Sequence, residues 1–266
     1  MRRKTSTTVI MYAVLAFFFI IWIFPIYTAI TKSLQVGGWN SYLSVISNED
    51  VHYFRVVFNS FFISVATAAI VVLITSLAGF AFAKMKFAGS RVLYVLLLAC
   101  MAVPIASVTM PLFFTIKTFH LTNTYLGIII PLVAFNALQM LLLWKNYFDG
   151  IPDEIIEAAR VDGCSTLRIY GRILMPLSTP MIATTGVLTF VYSWNEYLIP
   201  LLLIRDESKY TVTLASTYFM ETRSQTPEMV AQEYAALILM TIPSIIVYLI
   251  SQKWLQAGIT SGAVKS

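Results

Sequence analysis

Residues 157–176 read EAARVDGCSTLRIYGRILMP, a polar, cationic stretch set between long apolar runs. Four such runs precede it, at 9–30, 61–83, 92–116 and 121–144, and two follow, at 177–204 and 234–252. At about 1.5 Å per residue each is long enough as a helix to cross a hydrocarbon layer of about 30 Å, the last only just. Composition agrees: of 266 residues, 58% are hydrophobic and 12% charged, and mean hydropathy is +0.78. A water-soluble core cannot absorb that much apolar surface. The expected fold is all-α, a polytopic membrane protein with six transmembrane helices. It forms one domain over 1–266, with a helical loop at about 145–176 that stays in water.

The formal charge of +5 does not indicate nucleic acid, because the basic residues are scattered between apolar runs instead of forming one basic face. They do give an orientation. Of the 18 lysines and arginines, Arg2, Arg3, Lys4, Lys84, Lys86, Arg91, Lys145, Arg160, Arg168, Arg172, Lys253 and Lys265 share one side, twelve in all. Six, namely Lys32, Arg55, Lys117, Arg205, Lys209 and Arg223, fall on the other. The positive-inside rule then predicts both termini and the 157–176 stretch to be cytoplasmic in a multi-pass protein of the cell membrane. The first run, behind Met1-Arg2-Arg3-Lys4, is too long for a signal-peptide core and carries Pro25 where a small-residue cleavage site would belong. The outer loops at about 31–58 and 205–233 are long enough to dock a partner, or are plain solvated connections.

Several chemistries lack their residues. Cys100 and Cys164 fall in an apolar run and in the polar stretch, poorly placed to pair. His52 and His120 stand apart from each other and from the cysteines, so no metal set is expected. The tail at 258–266 ends in Lys265-Ser266 like a phosphate-binding loop, but Val264 occupies the position of the required glycine. Pro25, Pro104, Pro111, Pro131, Pro200 and Pro243 are expected to interrupt the spans, since each removes a hydrogen bond to the carbonyl four residues earlier. Such breaks are tolerated where neighbouring helices or a water-filled path satisfy the freed groups. Ser60, Ser64, Ala68, Gly79 and Ala83 give the second span a small-residue face for close packing.

The polar stretch has its own punctuation. Pro152 suits the first turn of a helix, and Asp153, Glu154 and Glu157 follow where negative charge favours a helix N-terminus. A short helix over about 152–162 is expected. Ala158 and Ala159 keep one side slim, and Gly163 ends the helix in a left-handed conformation. Ser165 would cap a second short helix carrying Arg168, Tyr170 and Arg172, and Thr179-Pro180 would start the fifth span. The residues alone also allow an amphipathic hairpin resting on lipid.

Glu157-Ala158-Ala159, then Gly163, Ile173 and Pro176, resembles the EAA signature of ABC-transporter permease subunits of importers. Asn59-Ser60, Pro104 with Pro111, Ile151-Pro152-Asp153-Glu154, Trp194-Asn195-Glu196 and the 258–265 tail resemble, more weakly, the carbohydrate-importer branch of the maltose-transporter type. Met175 departs from the leucine usual in that pattern, an apolar swap of similar volume. The resemblance implies that 145–176 is a coupling loop seated on a separate ATPase. Glu157, Ala158, Ala159, Asp162, Gly163, Ile173 and Pro176 would be its key residues. It implies no cofactor in this chain, ATP and magnesium being held by the ATPases. The implied partners are a second, related but different permease chain, two ATPase subunits, an extracytoplasmic solute-binding protein and membrane lipid. Sugar import is the expected activity, without catalysis by the chain itself.

A substrate path is expected near Glu196, the only formal charge within a span, roughly 24 Å along a helix from Pro180. Tyr192, Trp194, Asn195 and Tyr197 offer rings and polar groups suited to a sugar; an interfacial aromatic belt is the alternative. Asn136 and Gln139 of the fourth span are further candidates, or serve interhelical hydrogen bonding. A carrier driven by an ion gradient, using Glu196, is the rival function, though no internal repeat supports it.

Overall fold

The computed structural model describes residues 5–220 and 226–263, with side chains over 10–220 and 226–254. Arg2, Arg3, Lys4, Arg223 and Lys265, used above for orientation, lie outside the described residues, as does the end of the 258–265 tail. Among the described residues there are helices and no strand. They are α1 (Thr5–Gln35), α2 (Asn40–Ile46), α3 (Tyr53–Lys84), α4 (Ser90–Cys100), α5 (Ile105–Thr118), α6 (Tyr125–Asp149), α7 (Asp153–Val161), α8 (Thr166–Ile169), α9 (Met175–Leu177), α10 (Thr179–Trp194), α11 (Leu198–Leu203), α12 (Val212–Met220) and α13 (Pro227–Ala263). A π-helical turn over Tyr170–Leu174 joins α8 to α9.

Four of these helices are long and apolar enough to cross a membrane alone, at Ile10–Gln35, Tyr53–Lys84, Tyr125–Asp149 and Pro227–Trp254; the count reaches 6 if each of two bent pairs is one span. The expected third span, 92–116, is not a single helix. It divides into α4 and α5, inclined at 100° to each other. The physical reason is Pro104, whose backbone is extended (φ −63°, ψ 133°) and which disfavours helix in the residue before it. The fifth run, 177–204, is likewise interrupted: α10 ends at Trp194 and α11 begins at Leu198. The other prolines do less than expected. Pro25, Pro111, Pro131 and Pro243 lie inside helices that continue through them, and Pro200 sits in the first turn of α11, where a missing N–H costs little.

The chain, read from sequence as one domain, packs as two compact units: the chain up to Phe54 with Ala215–Ile242, and Arg55–Leu214 with the chain from Pro243. In the first, the expected loop at 31–58 is largely helical. Gly37 and Gly38 turn the chain at φ +79° and +55°, and α2 follows, with Tyr42 hydrogen-bonded to Ser33 at 2.7 Å. Tyr53 donates to the carbonyl of Leu239 at 3.1 Å, and Tyr218 to the Asp50 carboxylate at 2.6 Å.

The second unit is built on α6, along which α4, α10 and α11 pack. Its Tyr125 end lies in a cluster of Ile63, Ile116, Ile128, Leu132, Ile199 and Leu203. Its other end lies in a second cluster with Phe80, Trp144, Phe148, Ile156, Ile169, Leu174 and Met181. The two ends of this 25-residue helix are roughly 37 Å apart. The clusters therefore organise opposite ends of the unit.

Candidate functional site

The 145–176 loop is seated on the second cluster. α7 begins after Pro152 with Asp153 and Glu154 in its first turn, and turns Ile156 and Ala159 inward, 5% and 4% exposed. Its C-terminus forms a complete Schellman motif. Gly163 N–H donates to Arg160 O at 3.0 Å, and Cys164 N–H reaches back to Ala159 O at 2.9 Å. Gly163 adopts φ +78°, and a Cβ placed there would meet nothing within 4 Å. The glycine is therefore required by backbone conformation and not by crowding. Asp162 occupies the C-cap position.

Beyond the corner, Ser165 takes the N-cap position of α8, but its side chain makes no capping bond. The N-cap position of α10 is held by Ser178, whose side chain likewise makes no capping bond, and not by Thr179, whose hydroxyl donates to Pro176 O at 2.7 Å. Ile169 and Leu174 anchor the second short helix, with Ile173 half-buried against the same cluster. Tyr170 ties this segment to α3, its hydroxyl 2.8 Å from Ser76 and its ring 5.6 Å from Phe80.

Lys84, at the end of α3, fastens the start of α7. Its ammonium donates to Ile151 O at 2.6 Å and to the Asp153 carboxylate at 2.5 Å, and its side chain is only 6% exposed. That hydrogen bond, reinforced by the lysine charge, holds the Asp153 carboxyl below its ordinary range. Glu157 is exposed beside this pair and lines a cleft of about 200 Å³ with Lys84, Lys86, Asp153 and Arg160. The two alanines part company. Ala158 faces outward, whereas Ala159 faces the chain's own core, so its small size serves the seat of α7. The outward surface of the corner carries two large apolar side chains, Val161 at 88% and Leu167 at 76% exposure.

The candidates for a substrate path differ in exposure. Trp194 is 2% exposed and stacks on Phe190 at 5.6 Å. Tyr192 and Tyr197 are exposed. Asn195, also exposed, donates to Val191 O at 2.8 Å within its own helix. Asn136 is buried and donates to Leu132 O four residues back, not to another helix. Gln139 is exposed.

Glu196 lies in the break between α10 and α11, half-buried, and its carboxylate accepts from Ile199 N–H at 3.1 Å. Its carbonyl, deprived of a helical donor by Pro200, accepts from the Thr213 hydroxyl at 2.6 Å. The carboxylate thus accepts from the second residue of α11, whose N-cap position is held by Tyr197, and this contact needs an acceptor oxygen rather than a charge. Glu196→Gln is expected to retain uptake near the wild-type level, and Glu196→Ala to lose about 1 kcal/mol of local stability. Uptake at matched expression checks this: abolition by Glu196→Gln would mean that the charge itself is used.

Sequence reasoning missed how much three polar residues hold together. Asn59 donates to Ser208 O and Tyr210 O at 2.9 and 3.0 Å and accepts from Tyr125 OH at 2.8 Å. Next to it, Ser60 Oγ accepts from Val212 N–H at 2.8 Å. Asn123, at φ +60°, donates its N–H to Leu203 O at 2.8 Å and accepts from the Arg205 and Asp206 N–H groups at 3.2 and 3.1 Å. Asp206 pairs with Lys209 at 2.6 Å, and hydrogen bonds from Lys209 and Ser208 bring its carboxyl down to about 2. The available signal was polarity at the mouth of an apolar run: Asn59-Ser60 before the second, and Thr122-Asn123-Thr124 at the start of the fourth.

Comparison with known proteins agrees with this architecture. Residues 75–261 match the family described as binding-protein-dependent transport system inner membrane component. The trehalose/maltose transport system permease protein MalG of Thermococcus litoralis is 30% identical over 225 residues, 85% of this chain and 80% of that one. The arabinooligosaccharides transport system permease protein AraQ of Bacillus subtilis is 28% identical over 231 residues, 87% of this chain and 80% of that one. A chain of a bacterial ABC transporter involved in the import of the acidic polysaccharide alginate shares the fold. Its TM-score is 0.80 at 22% identity, covering 94% of this chain and 98% of that one. With an apolar helical bundle, a seated loop ending on Gly163, and a family match over most of its length, the chain belongs to the inner-membrane components of binding-protein-dependent transport systems.

Proposed function

We propose that this chain is one permease half of an ATP-driven importer of a sugar or oligosaccharide, and that its 145–176 loop transmits the movement of a separate ATPase to the spans. The observation that carries the reading is the Gly163 corner, which holds Val161 and Leu167 outward on a helix pair fixed to the core at Ile156, Ala159, Ile169 and Leu174. Exposed apolar side chains on a rigid polar loop are suited to burial in a partner's groove. Closure of two ATPases, each holding ATP and magnesium, would drive two such loops together, and the short helices would pass that motion on as rigid bodies. On this reading the loop and both termini are cytoplasmic, a second permease chain completes the pathway, and an extracytoplasmic solute-binding protein delivers the ligand. The sugar class is supported by the substrates named for the two permease relatives.

The test is reconstitution in vesicles with the ATPase and binding protein that accompany the chain. Val161→Glu with Leu167→Glu is expected to leave insertion intact and to lower ligand-stimulated ATP hydrolysis at least about tenfold, since burying an unpaired carboxylate costs several kcal/mol. Full stimulation in that variant would refute the docking surface. Uptake driven by an ion gradient without ATPase would replace the whole reading with a carrier.

A further inference from the structure

At the end of α6 remote from the 145–176 loop, the second unit contains a cleft of about 220 Å³ between the last turn of α5, the α5–α6 connection and the end of α11. Phe113, Leu202 and Leu203 form its apolar floor; Thr122 and Asn123 supply polar groups; Lys117 and Arg205 bring two cations to one opening. Among the described residues neither cation has an ion-pair partner. The nearest carboxylate in sequence, Asp206, is already engaged by Lys209 and Ser208.

The walls are fixed and do not depend on a ligand. Asn123 binds the connection to the end of α11 and the residues just after it, donating its N–H to Leu203 O and accepting at its side-chain oxygen from the Arg205 and Asp206 N–H groups; the connection is closed on α5 by Leu121 N–H donating to Ile116 O at 3.0 Å, and the floor is backed by the buried cluster around Ile116 and Leu203. The flanks are unusually apolar for a charged site. Phe114 and Phe119 are 56% and 68% exposed beside Lys117, and Leu201 is 47% exposed beside the floor. A ligand that satisfies both halves needs an anionic head for the two cations and hydrocarbon for the surrounding surface. A free anion would satisfy only the first, and an acidic peptide would leave the exposed rings uncovered.

We propose that this cleft binds the phosphate head of an anionic phospholipid from the leaflet remote from the 145–176 loop, with Lys117 and Arg205 holding the phosphate and Phe113, Leu202 and the neighbouring exposed rings lying against its glycerol and acyl chains. Basic pockets between membrane helices are suited to this chemistry, and Lys117 stands in the last turn of an apolar helix, from where a lysine stem can carry its ammonium toward headgroups. The site is independent of what the protein transports.

The test uses the full-length protein with its accompanying subunits, delipidated in detergent. Binding of phosphatidylglycerol, phosphatidylcholine and inorganic phosphate is measured by native mass spectrometry and thermal shift. Phosphatidylglycerol is expected to bind and raise the midpoint, while phosphatidylcholine and inorganic phosphate at equal concentration do neither. Lys117→Gln with Arg205→Gln is expected to weaken phosphatidylglycerol binding about thirtyfold, taking about 1 kcal/mol per cation and about 1.4 kcal/mol per tenfold. Equal effects of the two lipids, or an unchanged affinity in the double variant, would overturn the proposal; an equal effect of inorganic phosphate would make the site one for free anions. Should the double variant fail to assemble, Lys117→Gln alone is measured, and retention of wild-type affinity there would also overturn it.

Discussion

Gly163→Pro is expected to insert at the wild-type level yet lose at least about tenfold in ligand-stimulated ATP hydrolysis and uptake, the largest effect of any single substitution in the 145–176 loop. Proline fixes φ near −65° and has no N–H; Gly163 sits at φ +78° and donates to Arg160 O. The corner cannot form, and Val161 and Leu167 lose their common presentation while the spans are untouched. A series separates conformation from bulk. Asparagine tolerates the left-handed region and should be mild. Alanine should cost about 1–2 kcal/mol in backbone strain, and valine more because its branched Cβ is still less tolerant of positive φ. Since a Cβ at this position touches nothing in the chain, an order following backbone tolerance, with asparagine better than alanine, supports the corner. An order following side-chain volume would instead assign the effect to contact with a partner, and the rigid-corner account would be withdrawn.

Gly79→Ala is expected to produce a large loss of stability from a single added methyl group. The new Cβ would lie 2.6 Å from Trp144 Cβ and 3.0 Å from Lys145 N and Trp144 C, atoms of α6 itself that no rotamer change can remove. Either α3 or α6 must shift, and Trp144 and Phe148 are fully buried in the cluster that seats the loop. Overpacking of this kind costs about 1–3 kcal/mol, at the upper end roughly 6–12 °C in midpoint for a chain of this size. Thermal unfolding of the detergent-purified protein provides the measurement, with Gly186→Ala as control. There the added Cβ meets only Val72 Cγ2 at 3.9 Å, ordinary contact. Equal midpoints for the two variants would show that α3 and α6 do not approach this closely.

How far the sequence could be read depended on the range of the physics involved. The helix–glycine–helix form of the loop was legible because its determinants are local: Pro152 presets the first turn, acidic residues follow it, and only glycine suits the left-handed corner. The helical class and the apolar runs were legible because composition and length decide them. Where a run divides depends on competition between a local break and long-range packing. Pro104 breaks the third run by 100°, whereas Pro25, Pro131 and Pro243 leave their helices continuous. The sidedness of Ala158 and Ala159 was not legible, since adjacent small residues look alike until the cluster of Phe80, Trp144 and Phe148 claims one of them. Glu196 was singled out for its charge; which groups it meets, the Ile199 N–H at its carboxylate and the Thr213 hydroxyl at its carbonyl, was not legible. Asn59 and Asn123 carry no charge and hold together segments far apart in the chain, which no local pattern registers.

Asn59 also bears on the order in which this protein can be completed. Its amide serves carbonyls 149 and 151 residues further along, so while the chain is being made, the donor emerges long before its acceptors exist. Until the 207–212 turn arrives, that amide must be hydrated or borrow a transient partner. Early spans can therefore enter the bilayer one by one, but the end of the unit around Asn59 can close only after synthesis has passed the 207–212 turn.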